Sequence, residues 1–356
     1  MTSSFLDGDG AEPVGLGNET LIRPLVTVLT PVYNGRLFVE ETIQSVLSQC
    51  YPRLEYIVLD DGSTDGTLEL LEKFGSRIQV VSHPNMGETR TVNQGFTLAR
   101  GEYVAVVNAD DPLRPQAIEL AVQVLERVPN AVLAYPDWVE IDPASKVLRE
   151  FRLPQYDIRR MLRRFEISMG PGVLIRRRAL EVAGVRDVTL KYTSDLDLWC
   201  RLALLGPFLH VPELLATHRV HPASASVSDQ GSQMADELAR LAYKCLDAPL
   251  LPEELRRERN AILGRVHFVA SSYCGRDVRA RIRHLVASLT LAPLVFSYLA
   301  ARHLLHFGVV WMPKPMSDSL KRAFRLTDGA SSPVIRWKTG RNGVGRSSSK
   351  TEGKVP

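Results

Sequence analysis

Apolar and polar residues alternate in blocks along the first 135 positions. Leu25-Val26-Thr27-Val28-Leu29 is a short β-branched run that stops at Pro31, the mark of a buried strand. Phe38 to Gln49 carries Val39, Ile43, Val46 and Leu47 at helical spacing. The alternation then repeats. Tyr56-Ile57-Val58-Leu59, Ile78 to Val81, Tyr103 to Val107 and Ala131 to Tyr135 read as strands. Leu68 to Phe74, Thr89 to Arg100 and Gln116 to Val128 read as helices between them, the last with Pro115 near its first turn. Strand and helix joined by short connections predict an α/β fold with a mostly parallel sheet covered on both faces.

Beyond residue 150 the alternation weakens. Tyr156 to Phe165 predicts a basic helix, Gly170-Pro171-Gly172 a break, Val173 to Ile175 a short strand, and Asp195 to Leu205 an amphipathic helix. Residues 231–283 read as polar-faced helices and 284–312 as largely apolar. Residues 339–356 are rich in Gly, Ser, Lys and Arg and predict disorder. Residues 1–22 lack a basic start and an apolar core, so they read as a flexible leader and not a secretory signal. A cytoplasmic location is the corresponding expectation. The domain reading is 23–230 for the α/β unit, divided into 23–140 and 141–230. A helical, basic extension follows over 231–338.

Composition adds exclusions. With 45% hydrophobic and 24% charged residues in 356, the chain can build a full core without staples. The four cysteines are scattered, with no Cys-x-x-Cys pair, which argues against a zinc site and for free thiols. Charge is uneven: residues 251–356 hold 19 Lys/Arg against 7 Asp/Glu, although the whole chain is only +4. No interleaved aromatics accompany that basic segment, so nucleic acid is not an expected partner. Leu285 to Ala301 is a 17-residue stretch without a charge, short of the roughly 20 apolar residues of a bilayer span. A helix docked on the core and a helix lying at a membrane interface both stay open. The arginines and lysines over 279–325 favour an anionic membrane face as the contact.

Candidate chemistry gathers where strands end, the place where open α/β sheets bind ligands. Asp60-Asp61-Gly62-Ser63-Thr64-Asp65 follows one strand directly and reads as a turn or as acceptors for a base or ribose. Asn108-Ala109-Asp110-Asp111 follows another. Adjacent carboxylates repel unless a cation or hydrogen-bond donors compensate, and a divalent ion shared with substrate phosphates is one solution. Ser194-Asp195-Leu196-Asp197 puts two carboxylates at a helix start, as a cap or as a general base. Arg219 and His221 add a cation and an imidazole after an apolar segment. Signatures of zinc proteases, serine hydrolases, P-loop enzymes and dinucleotide enzymes are missing from the sequence.

In this order the blocks resemble family 2 glycosyltransferases of the GT-A fold. The matching segments are Thr30 to Asn34, Asp60 to Asp65, Asn85-x-Gly87 with Asn93-Gln94-Gly95, Gly101 to Asp111, Gly170 to Arg178, Ser194 to Leu202 and Arg219-x-His221. The resemblance implies an inverting transfer of sugar from a nucleoside-diphosphate donor to an acceptor hydroxyl, in surface polysaccharide or glycolipid assembly. Saccharides or lipid-linked molecules are the implied acceptors. Pro31, Tyr33, Asn34, Asp61, Gly87, Asn93, Asn108, Ala109, Asp110, Arg219 and His221 are then expected around the donor. Asp110 would hold Mn²⁺ or Mg²⁺, and Arg219 and His221 would close over the diphosphate. Asp195 is the implied base, and Gly172, Asp197 and Trp199 fall on the acceptor side. Two positions depart from the family pattern. Asn108 replaces the first Asp of Asp-x-Asp, and Ser194 replaces the Glu before Asp195. The alternative they leave open is a binding protein that kept the fold and lost transfer.

Overall fold

The computed structural model describes residues 23–165, 169–222 and 231–310. In chain order the elements are β1 (Val26–Val32), α1 (Val39–Leu47), β2 (Leu54–Asp60), α2 (Thr67–Glu72), β3 (Gln79–Ser82), α3 (Glu88–Leu98), β4 (Tyr103–Val106), α4 (Ala117–Arg127), β5 (Leu133–Ile141) and β6 (Val147–Phe151). There follow α5 (Ile158–Arg164), β7 (Leu174–Arg176), α6 (Arg177–Ala183), α7 (Ser194–Ala203) and β8 (Phe208–Arg219). The chain then turns helical: α8 (Gly231–Leu246), α9 (Glu253–Arg257), α10 (Arg259–Ser271), α11 (Val278–Leu291) and α12 (Pro293–Val310).

One sheet runs β3-β2-β1-β4-β7-β5-β6, with β8 paired to β5. The pairs β1–β2, β1–β4 and β2–β3 are parallel. β7 runs antiparallel to both β4 and β5, so β5 points the same way as β4. β8 is parallel to β5. The carboxyl ends of β1, β2, β4 and β8 therefore share one edge of the sheet.

Side chains along β1 and β2 alternate between two cores. Val26, Val28, Tyr56 and Val58 join the cluster under α1 and α4, while Leu29, Ile57 and Leu59 join the one that holds α3 and α7. Val39, Ile43 and Val46 of α1 are fully buried, each contributing about 1.5–3 kcal/mol of apolar burial. Ala235, Leu238 and Leu241 of α8 and Ile262 of α10 lie in the same cluster as Leu202 of α7. The helical segment thus shares a core with the sheet.

The elements differ from expectation in several places. β1 continues through Pro31 to Val32, since a strand close to its end tolerates the missing N–H. β5 extends to Ile141 and pairs with β6, and β8 is a 12-residue strand. Pro136 disguises the second half of β5 and Pro212 disguises β8, and the β5–β8 register shifts around Asp137. Thr193, not Asp195, is the N-cap of α7. The apolar stretch 285–301 is divided between α11 and α12 at Ala292-Pro293. Among the described residues no helix is long and apolar enough to cross a membrane. The expected leader, the 311–338 part of the extension and the 339–356 tail lie outside the described residues. The four cysteines are free, with Cys200, Cys245 and Cys274 buried.

Candidate active site

Three strand ends build one rim. After β1, Asn34 adopts a left-handed conformation, φ 51°. Its Oδ1 accepts from the Thr64 amide at 2.8 Å, and its own amide donates to Ser63 Oγ at 2.9 Å. Asn34 thereby locks the first strand end to the second, while Tyr33 stands 54% exposed on the rim. After β2, Asp60 is buried and accepts from Ser63 and Ser82. Asp61 is also buried. Its two oxygens accept from the Met86 amide at 2.7 Å and the Gly87 amide at 3.0 Å. These amides lead into α3, whose N-cap is Gly87, so the Asp61 carboxylate lies near the positive end of that helix. His83 lies 3.5 Å from Asp61, and its Nε2 is buried without a hydrogen-bond partner. Sequence reasoning missed His83, which carries no motif of its own.

After β4, the adjacent carboxylates divide their roles. Asp111 turns inward, accepting from the Arg219 amide at 2.7 Å and from Asn108 Nδ2 at 3.0 Å. Burial first, and the neighbouring Asp110 charge second, push its pKa up. Hydrogen-bond donors thus compensate at Asp111. Asp110 stays partly exposed, with Oδ2 3.0 Å from His221 Nε2. Asn108 is exposed and Ala109 half-buried beside it. An exposed carboxylate and an adjacent imidazole suit a divalent cation that takes its remaining ligands from phosphate and water.

The Arg219 guanidinium is fully buried beneath Phe38, 4.8 Å from the ring. It donates to the Asp110 carbonyl at 3.0 Å, the Asp142 carbonyl at 3.0 Å and Glu41 at 2.6 Å. In this geometry it braces the Asp110 turn from beneath. His221, on the other side of the same ring, remains at the rim.

The start of α7 approaches the rim through α3. Ser194 Oγ meets Thr89 Oγ1 at 3.0 Å, so the residue in place of the family's Glu ties the two helices. Asp195 accepts from the Leu196 amide at 2.8 Å. Burial raises its pKa; the nearby Arg186 charge opposes this and Glu88 adds to it. Arg186 is paired with Glu88 at 3.1 Å. Asn93 exchanges hydrogen bonds with the Arg186 backbone at 2.8 and 2.9 Å.

The acceptor-side residues require correction. Asp197 is fully buried and ion-paired with Lys244 at 2.8 Å and Arg201 at 2.8 Å. Trp199 is buried in the core. Asp197 points into the protein because two residues of helix turn it from the face that carries Asp195, whereas Trp199, four positions from Asp195, shares that face and is buried there. Gly172 has φ +80°, and a Cβ there would stand 2.7 Å from that of Ala216. It is a packing position against β8, not an open surface.

The sheet order, with a rim of carboxylates at its strand ends, is a GT-A architecture, and the glycosyltransferase class comes from the matches to known proteins. Residues 27–183 match the model described as glycosyl transferase family 2. It is 29% identical over 251 residues to a glycosyltransferase of Rickettsia typhi, covering 68% of this chain and 77% of that one. It is 25% identical to the hyaluronan synthase of Pasteurella multocida, covering 59% of this chain but only 22% of the relative. Among solved structures, S. aureus TarS 1–349 in complex with UDP-GlcNAc superposes with a TM-score of 0.61 at 19% identity, over 77% of this chain and 83% of that one. The mannosyltransferase PcManGT from Pyrobaculum calidifontis, in complex with GDP-Man and Mn²⁺, gives 0.54 at 18% identity, over 86% and 89%.

Proposed function

We propose that this glycosyltransferase inverts the anomeric centre of a nucleoside-diphosphate sugar, with Asp195 as general base. The observation that carries the reading is the linkage through α3. The amide of its N-cap Gly87 donates to Asp61 and its Thr89 hydroxyl meets Ser194 at the α7 start, which supports reading Asp61 and Asp195 as parts of one site. Tyr33 and Asp61 would border the base, and Asn108 and Asp110 the ribose and diphosphate. Asp195 would take the acceptor hydroxyl proton as the acceptor oxygen bonds to the anomeric carbon. The bond to the diphosphate breaks on the opposite face, and the nucleoside diphosphate leaves with that electron pair. Burial, by raising the pKa of Asp195, makes it a stronger base. Asp110 and His221 would hold a divalent cation, which supplies charge neutralisation to the diphosphate when bound.

The test is thermal unfolding with UDP, UDP-GlcNAc, GDP and GDP-mannose, with and without MnCl₂. A ligand that binds only the folded chain raises the midpoint by mass action. A Mn²⁺-dependent rise that disappears in Asp110→Ala is expected. A rise that Asp110→Ala leaves intact would remove Asp110 from the donor site.

A lipid surface is the proposed partner of the extension, consistent with lipid-linked acceptors in polysaccharide or glycolipid assembly. Ile282, Val286 and Leu289 are exposed at i, i+4 and i+7 of α11. Arg279, Arg281 and Arg283 are exposed beside them, and α11 has no carboxylate. Apolar residues flanked by arginines suit an anionic interface. Sedimentation with phosphatidylglycerol vesicles, and not with phosphatidylcholine vesicles, is expected. Equal binding to neither would discard this partner.

A further inference from the structure

Glu237 belongs to α8, outside the segment that matches the family. It is 1% exposed. Its Oε1 accepts from the Lys191 amide at 3.1 Å and from Gln233 Nε2 at 3.1 Å. Its Oε2 accepts from the Tyr192 amide at 2.7 Å and from Thr193 Oγ1 at 3.5 Å. Three of these donors are consecutive residues, and the third, Thr193, is the N-cap of α7. Asp195 lies two positions on. Thr193 has no side-chain cap bond of its own to the helix, so Glu237 supplies what fixes the entry into α7 on that side. On the other side Thr89 holds Ser194, and Asn93 holds Arg186. The segment carrying Asp195 is thus clamped between α3 and α8.

We infer that Glu237 is a positioning residue for the transfer reaction, holding residues 191–193 so that Asp195 faces the acceptor. This rests on Asp195 being the base. A carboxylate is needed because every group it meets is a donor; an amide would place an N–H₂ against one of the backbone N–H groups. Misplacement of a reacting group by about 1 Å can cost on the order of 100-fold in rate.

The test compares Glu237→Gln, Glu237→Asp and Asp195→Asn in the full chain, with UDP-GlcNAc and GDP-mannose as donors and MnCl₂ present. Release of nucleoside diphosphate, the nucleotide-induced rise in unfolding midpoint, and amide hydrogen exchange over 190–196 are followed together. In Glu237→Gln, turnover is expected to fall about 10-fold to 100-fold. Amide protection at Lys191 and Tyr192 falls with it, while the nucleotide-induced midpoint rise stays at the wild-type value. Glu237→Asp keeps an acceptor of the same charge on a shorter arm and should recover part of the turnover. Wild-type turnover in Glu237→Gln, with Asp195→Asn inactive, overturns the role of Glu237 and leaves the base assigned. Loss of the nucleotide response in Glu237→Gln would make the residue a general support of the fold and also overturns it. Wild-type turnover in Asp195→Asn removes the base itself, and this inference with it.

Discussion

At the carboxyl ends of β1 and β2, polar side chains are held by amides of the neighbouring strand-end loops. Asn34 holds Thr64, Asp60 holds Ser63, and Asp61 holds Met86 and Gly87. At the start of α7 the arrangement is different. Asp195 is flanked by Arg186 and Glu88, Ser194 by Thr89, and the preceding loop by Glu237, while Asp197 is paired with Lys244. The strand-end rim is assembled from segments that each contain their own motif. The α7 start is held by Glu88, Thr89, Arg186, Glu237 and Lys244, which belong to no motif. The comparison teaches that a parallel sheet aligns its strand ends by topology alone, whereas a helix start inserted beside it needs contacts from elsewhere.

The largest effect that sharpens this contrast is on chemistry. Asp195→Asn should lower turnover by about 10²–10⁴-fold, since general-base catalysis is worth that much. The unfolding midpoint should move little. Steady-state release of nucleoside diphosphate measures it, and near-normal turnover would break the assignment.

Next come changes in stability. Gly172→Ala puts a Cβ against Ala216 at a left-handed φ and is expected to cost about 3 kcal/mol, through overpacking and backbone strain together. Denaturant unfolding measures this, and a loss below about 0.5 kcal/mol would mean that β8 yields easily. Asp197→Ala should cost about 2–3 kcal/mol by leaving Arg201 and Lys244 without their shared carboxylate. Lys244 keeps Asp187 as a partner, which limits the loss. Nucleotide binding in this variant should match wild type. If it does not, Asp197 reaches the donor site after all.

The smallest effect concerns acid. His267 faces Tyr243, His284, Arg283 and Asp236, and its pKa is lowered to about 4, by burial first and then by His284 and Arg283. The unfolded chain takes up this proton near pH 6.5 and the folded chain only near 4, so stability falls as pH falls between them. The loss should be about 1–2 kcal/mol at pH 5. His267→Gln should flatten that part of the profile. An unchanged acid slope in His267→Gln would move the effect to other groups.

Much of the fold was legible because burial writes its own period. Fully buried parallel strands read as β-branched runs, and their helices read at 3.6 spacing. The second half of β5 was hidden by Pro136, β8 by Pro212, and β6 by its exposed, charged residues. The rim was legible for the same reason: Asp61 and Asn108 to Asp110 each follow a strand directly. The contacts of Arg219, Asp197 and Asn93 were not legible, because sequence names a residue without showing which way it faces. Arg219 turned inward under Phe38, a ring 181 positions earlier in the chain.

By itself the sequence determined the parallel α/β order, the strand-end chemistry and the class of enzyme, all of which follow from local runs and turns. Tertiary structure decided which carboxylate of each pair faces out. Asp110 and Asp111 are chemically alike, yet the Arg219 amide and Asn108 draw one inward and leave the other at the rim. Asp195 and Asp197 divide in the same way, one beside α3 and the other against Lys244. A buried charge goes where partners wait, and those partners come from distant parts of the chain.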